Sequence, residues 1–186
     1  MSQALGELEK SAQNCYKERV LGPDDFRRVL GHFASGVTVV TTLDADGSPA
    51  GLTASAFTSV SLNPPLVLVC VAHTSQSYPA FHSQGKFAIN VLHADHEQLA
   101  RRFASTDTAA EKFAGTEYRQ GALGLPVLED ALAALECTIV HVYPAGDHTI
   151  FVGQVEAADC RGDAGLEPLL YYRGRFNRLH ASVGDP

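Results

Sequence analysis

The feature that most constrains this sequence is a succession of short, β-branched apolar runs, set apart by turn residues rather than by long helices. Val37 to Leu43 is rich in Val and Thr, and Asp44-Ala45-Asp46-Gly47 follows it. Asp-Gly is the strongest short-range hairpin signal, so Gly51 to Leu62 reads as the returning segment. Asn63-Pro64-Pro65 breaks that segment, and Leu66 to His73 reads as a buried strand. Phe87 to Leu92, Glu136 to Tyr143 and Thr149 to Ala157 read as further strands. Pro144-Ala145-Gly146-Asp147-His148 turns between the last two, and Leu169 to Tyr172 is a last short strand before a basic tail. Helical spacing is confined to a few stretches. Phe26, Val29, Leu30 and Phe33 form one apolar face behind Pro23-Asp24-Asp25, closed by Gly36. Ser75 to His82 and Asp95 to Phe103 read as short helices, and residues 104–126 as a long polar loop with some helix. The absence of regular alternation of strand and long helix argues against a doubly wound parallel sheet. The pattern fits a mainly β fold, an antiparallel barrel with a few covering helices.

The length of 186 residues, with 45% hydrophobic and 19% charged residues, suits one domain plus an arm. The expected division is an N-terminal arm at 1–22, a domain at 23–180 and a tail at 181–186. No apolar run approaches the ~18 residues of a membrane span, the longest being Leu66 to Ala72. Residues 1–22 carry no apolar signal block, so a cytoplasmic protein is expected. Fourteen Lys and Arg against twenty-one Asp and Glu give a net charge of −7, which disfavours wholesale nucleic-acid binding. Cys15, Cys70, Cys137 and Cys160 make no CxxC pair. Cys70 and Cys137 lie within apolar runs and read as buried thiols.

Gly51 to Ser61 is the most unusual stretch. If it is extended, Thr53, Ser55, Ser59 and Ser61 share a face beside small residues. That leaves room for a flat ligand against backbone and supplies hydrogen-bonding groups for a ring edge or a phosphate. The other reading is a half-exposed strand with a Ser/Thr outer face. His148 on its turn either contacts a ligand or is solvated. Tyr171 to Phe176 combines aromatics with Arg173 and Arg175, suited to stacking on a ring and pairing with pyrophosphate or to an edge strand with snorkelling arginines. Arg101-Arg102-Phe103 carries the same ambiguity. His93 and His96 come nearest to a metal pair but lack a metal-site arrangement, so no metal is expected. No GxGxxG, P-loop or GxSxG motif is present.

Taken in order, Phe26 to Thr42, Gly51 to Leu68, Gly85 to Leu92, Gly146-Asp147-His148 and Tyr172-Arg173-Gly174 resemble the short-chain NAD(P)H:flavin oxidoreductases that serve two-component flavin-dependent monooxygenases. The resemblance covers about residues 24–178. It implies an FMN-binding split β-barrel, a homodimer, and hydride transfer from NADH (NADPH less so) to N5 of FMN or FAD. Reduced flavin then diffuses to a partner monooxygenase. By the same resemblance, the flavin-contacting residues are Ser35, Gly36, Val37, Thr38 and Val39, then Thr53, Ala54, Ser55, Ala56 and Phe57. Ser59, Val60, Ser61, Phe87, Ala88, Asn90 and Val91 extend that set. Where the family often has Asn, this chain has Ser55. Arg102 and Phe103 match a pair near the flavin phosphate, His148 the residue that handles the nicotinamide nucleotide, and Tyr172 and Arg173 a segment near the same pocket. Hydride transfer asks mainly for positioning, because the flavin carries the chemistry. The alternatives are a flavin carrier or electron-transfer module with tightly held FMN, an oxidase of the pyridoxamine-phosphate type, and a structural binding domain.

Overall fold

The computed structural model describes residues 21–161 and 165–179. Most of the expected N-terminal arm, with Cys15, and the tail at 181–186 lie outside the described residues. The chain divides into a unit of residues 1–33 and a unit of residues 34–186. In the first, helix α1 (Pro23–Leu30) begins on Gly22 with proline in its first turn. Asp24 and Asp25 sit at its positive end, and Arg27 and Arg28 reach back to them at 3.2 and 3.0 Å. The helix stops at Gly31, earlier than Gly36.

The second unit is mainly β. Seven strands form one antiparallel sheet in the order β3-β2-β6-β9-β10-β5-β4. These are β2 (Thr38–Leu43), β3 (Pro49–Ala54), β4 (Phe57–Leu62), β5 (Pro65–Ala72), β6 (Lys86–Val91), β9 (Ala133–Ala145) and β10 (His148–Cys160). A small sheet joins β1 (Ser35–Gly36) to β11 (Leu170–Tyr172) and β12 (Arg175–Asn177), and β7 (Tyr118–Gln120) pairs with β8 (Pro126–Leu128). The covering helices are α2 (Tyr78–Gln84), α3 (Glu97–Ala104) and α4 (Ala109–Phe113).

The expected single run from Gly51 to Leu62 is two strands. Pairing continues to Ala54, breaks at Ser55 and Ala56, and resumes at Phe57. The two strands lie at opposite edges of the sheet. Successive Cα atoms are ~3.8 Å apart, so Ala54 and Phe57 are within about 11 Å. The sheet must therefore curl until its two edges meet at this seam. Its hydrogen bonding does not close into a barrel, since β3 and β4 are not paired.

Curling buries a core between the sheet's faces: Val40 and Leu52 from one end, Val67, Val69 and Val71 from the other, with Phe87, Cys137 and Phe151 between. Phe81 of α2 plugs this core, its ring 6.1 Å from Phe151. A second cluster gathers Val37, Val39, Leu92, Phe103 and Phe113, with the last two rings edge to face at 5.0 Å. The threonines of β2 are buried because backbone accepts their hydroxyls. Thr38 donates to Ala54 O at 2.8 Å and Thr42 to Lys86 O at 2.8 Å. Cys137 is buried as expected, and burial pushes its thiol up to about 12; Cys70 is only partly buried.

The expected basic tail is a hairpin. Tyr172 pairs with Arg175 across Arg173-Gly174, whose φ values of 51° and 77° match a two-residue type I′ turn. Arg-Gly is a weaker turn signal than Asn-Gly, which is why β12 does not stand out in the sequence.

Candidate functional site

The seam between β3 and β4 also holds a pair of cavities. Two adjoining hollows of about 470 and 390 Å³ share Thr53, Ser55, Ala104 and Ser105 as a common wall. Both fall in the ~300–1,000 Å³ range of cofactor and small-molecule sites. The wall forms because β3 ends here, its last residues Thr53 and Ala54 paired only with β2, while the C-terminal end of α3 lies opposite. Thr53 ties the two sides together by donating its hydroxyl to Ala100 O at 2.7 Å.

The first hollow is closed by Val37 and the β11–β12 hairpin through Tyr171, Gly174 and Phe176. Arg101 stacks on Phe176, its guanidinium 4.9 Å from the ring centre, and donates to Glu97 at 2.7 Å. The second hollow holds Ala54, Ala56, Phe103, Lys112 and His148, with the hydroxyl-bearing Thr74, Ser75, Ser105 and Thr106. His148 opens β10 opposite Ala72, and its Nδ1 lies 2.7 Å from Asp147 Oδ1. With Nδ1 donating, Nε2 is left as the ring's other hydrogen-bonding atom. The His148 ring in turn holds the Asp147 carboxyl below its ordinary range. Behind it, the Thr149 hydroxyl meets His73 Nε2 at 3.0 Å and Tyr78 Oη at 2.9 Å.

Of the residues named from the sequence, the structure brings together Val37, Thr53, Ala54, Ser55, Ala56, Phe103 and His148. Ser35 and Gly36 pair with Tyr171 and Leu170 beside the first hollow, while Thr38 and Val39 are buried in β2. Phe57 packs on the main core, and Ser59, Val60 and Ser61 run along the edge strand β4. Phe87 and Ala88 are fully buried, and Val91 packs against the core. The Asn90 side chain is spent on the fold: it donates to Val39 O at 3.0 Å and accepts from Leu128 N at 2.9 Å. Arg102 points to a different hollow, donating to Ala114 O at 2.8 Å and to Thr116 Oγ1. Tyr172 and Arg173 lie on the hairpin, while their neighbours Tyr171 and Gly174 line the cavity.

Sequence reasoning misses Lys112, Gln76, Ser75 and Thr106, which arrive from loops and the short α4. Only the step Lys112-Phe113 carried a signal, a cation beside a core aromatic. Among the described residues no cluster of His, Cys, Asp or Glu is arranged to hold a metal. No described helix is long and apolar enough to cross a membrane.

This architecture has known counterparts. The flavin reductase like domain family matches residues 30–180. An actinorhodin polyketide dimerase of Streptomyces coelicolor is 45% identical, the match covering 85% of this chain and 87% of that protein. The reductase subunit of a flavin-dependent monooxygenase of Rhodococcus jostii is 38% identical over 100% of this chain and 90% of its own length. Among solved structures, an NADH:FAD oxidoreductase of Streptomyces globisporus, in complex with NAD and FAD fragments, superposes with a TM-score of 0.79 at 38% identity. That match covers 90% of this chain and 100% of the other. The chain belongs to the flavin reductase family.

Proposed function

We propose that the protein reduces FMN or FAD with NADH and releases the reduced flavin to a separate monooxygenase. The observation that carries this reading is the seam, where the strand ladder breaks at Ser55 and Ala56 and the small side chains from Thr53 to Ala56 share a cavity with His148. The residues fit a flavin nucleotide. Val37, Thr53, Ala54, Ser55, Ala56 and Phe103 offer small, partly apolar surfaces and backbone groups to a flat ring, and hydroxyls surround a lysine for its phosphate.

A bound flavin supplies at N5 the acceptor for a hydride from NADH, so the chain needs no nucleophile of its own. Its residues bind and orient. The Thr53–Ala56 backbone fixes the ring plane, and the N–H groups of Ser55 and Ala56, which stand outside the strands, stabilise negative charge on the reduced ring. His148, its Nδ1 engaged by Asp147, positions the nicotinamide nucleotide at the other side of the cavity. Exclusion of water falls to Phe103 and the Ser105–Thr106 loop.

The names of the similar proteins agree with this reading: one is an NADH:FAD oxidoreductase and another the reductase subunit of a monooxygenase. The same reading makes the curled sheet a split β-barrel and the active form a homodimer working in the cytoplasm. Support for the dimer comes from apolar side chains left exposed on the second unit: Val140, Val142 and Tyr143 of β9, and Val60 and Leu62 of β4.

The test is NADH oxidation by purified protein as FMN or FAD is titrated in. Saturable, flavin-dependent turnover is expected. Stoichiometric flavin retained through gel filtration, with no turnover, would replace this reading with that of a flavin carrier.

A further inference from the structure

His73 holds the chain on both sides of His148. Its backbone N–H donates to Asp147 O at 3.0 Å, and its ring Nε2 lies 3.0 Å from Thr149 Oγ1. The residue before His148 and the residue after it are thus both bound by the residue that follows β5, where Ala72 faces His148 in the ladder. Strand alternation divides the labour. Thr149 points into the protein and is 2% exposed, while His148 faces the second hollow.

The bracket is itself anchored. Tyr78 Oη is 2.9 Å from the same Thr149 oxygen, and the Tyr78 ring centre is 5.0 Å from that of His73. Tyr78 leads on to the buried Phe151, 6.2 Å away, so the exposed His73 ring rests on packed structure. The protons fit either charge state of His73. With Nε2 bare, Tyr78 donates to Thr149 and Thr149 donates to His73. With Nε2 protonated, His73 donates to Thr149, which turns its own hydrogen to Tyr78.

His148 needs such a support. Asp147 orients its ring from 2.7 Å, but the Asp147 side chain is 93% exposed. An ion pair so open to water holds its geometry weakly. The Asp147 carboxyl, kept below its ordinary range first by the His148 hydrogen bond, also feels the His73 ring.

We propose that His73 is a positioning residue for His148, fixing Asp147 and Thr149 so that the imidazole between them keeps one orientation at the cavity. Its effect on turnover rests on the reading that His148 orients the nicotinamide nucleotide.

The test compares His73→Phe, which keeps a ring beside Tyr78 and removes both nitrogens, with His73→Gln, whose amide can replace Nε2 toward Thr149. The position is exposed, so neither substitution disturbs the core. The first readout needs no turnover: the 15N NMR signals of the His148 ring at about pH 8, above the ordinary imidazole range, assigned by their loss in His148→Ala. Wild type and His73→Gln should show the Nδ1–H tautomer that Asp147 selects. His73→Phe should move toward the tautomer mixture of a free ring. A His148 signal unchanged in His73→Phe overturns the proposal, whatever the kinetics.

The second readout is a double-mutant cycle on KM for NADH. His73→Phe should raise KM about 3- to 10-fold, the loss expected of one neutral hydrogen bond, with flavin affinity unchanged and His73→Gln near wild type. In a His148→Ala background the rise should vanish. A rise of the same size in that background, or an equal loss of flavin affinity, overturns the proposal. A shifted ring signal with KM unchanged in both His73→Phe and His148→Ala would support His73 as the support of His148 and overturn the nicotinamide role of His148 instead, so the two readings fail separately.

Discussion

Gly153 of β10 lies directly against Phe87 of β6: a Cβ at position 153 would stand 2.6 Å from Phe87 Cζ and 2.7 Å from Cys137 Cβ. Both neighbours are fully buried, and Cys137 Cβ cannot rotate away because it is fixed to the backbone of β9. The ladder between β9 and β10 shifts register between Val152 and Gly153, which marks the irregularity this close approach imposes. Gly153→Ala is therefore expected to destabilise the fold by about 1–3 kcal/mol, the usual cost of overpacking a core. Urea unfolding followed by circular dichroism reads this directly. A midpoint equal to wild type would mean that the sheet relaxes freely here.

Glu136 makes a second contact that only a carboxylate satisfies. It is 5% exposed and accepts from Ala122 N and Leu123 N, both at 2.7 Å. The turn can approach because position 121 is glycine: a Cβ there would lie 2.2 Å from Oε1. Glu136→Gln offers one acceptor oxygen to two N–H donors and turns an NH₂ toward the other. A loss of about 1–3 kcal/mol is expected, the cost of leaving a buried donor unsatisfied. Unchanged stability in denaturant titration would show that the turn moves to find other partners.

Asn90 separates structural from ligand-binding roles. Its amide joins β2 to the strand β8, through Val39 O on one side and Leu128 N on the other. Asn90→Leu keeps the volume and strands both partners, so a marked drop in melting temperature is expected. In protein that remains folded, KM for FMN should match wild type. A flavin defect without a stability defect would return Asn90 to the binding site.

The sequence conveys the strands far better than the seam. Alternation and β-branching place β2, β5, β6, β9 and β10, because buried strands carry long apolar runs bounded by turn residues. The break at Ser55-Ala56 carries no proline or glycine, and pairing could continue through it locally. It is set by the curl of the whole sheet, a tertiary property that no local pattern encodes. The site follows the same rule. Thr53, Ala54, Ser55 and Ala56 are legible because they are contiguous and unusual, whereas Lys112 comes from a five-residue helix and gains its meaning from burial. Phe87, Ala88 and Asn90 lie on a strand whose alternation describes its packing equally well.

His96 gives the fold a pH dependence. Burial first, then the neighbouring His93, lowers its pKa from 6.5 to about 4, and its Nδ1 is buried with no hydrogen-bond partner among the described residues. The His93 and His96 ring centres are 3.6 Å apart, while Asp95 and Asp130 oppose the shift. The unfolded chain binds the proton at higher pH than the folded one, so stability rises with pH across this interval. Stability contributed by neutral His96 is thus complete above pH 6.5 and is lost as pH falls toward 4. Thermal unfolding between these limits should show a smaller slope for His96→Gln than for wild type. Parallel profiles would assign the acid sensitivity to other groups.

His148 offers the sharpest separation of binding roles, because it stands in the hollow with Lys112 and Ala56 but does not line the neighbouring one, where Val37 and Tyr171 lie. Its contact with Asp147 is exposed on the acid's side, so that pair contributes little to stability. His148→Ala should therefore leave the melting temperature near the wild-type value. If the ring positions the nicotinamide nucleotide, loss of one hydrogen-bonding partner raises KM for NADH by about 10-fold or more, while flavin affinity changes by a smaller factor. Asp147→Asn keeps the ring in place but weakens the bond that orients it, and should reproduce a fraction of the same KM effect. Titration of flavin and steady-state variation of NADH, run on the same preparations, measure the two factors independently. Equal loss of flavin binding and NADH turnover would put His148 at the flavin and leave the nicotinamide to be oriented from the other hollow, by Tyr171 and the hairpin that carries it.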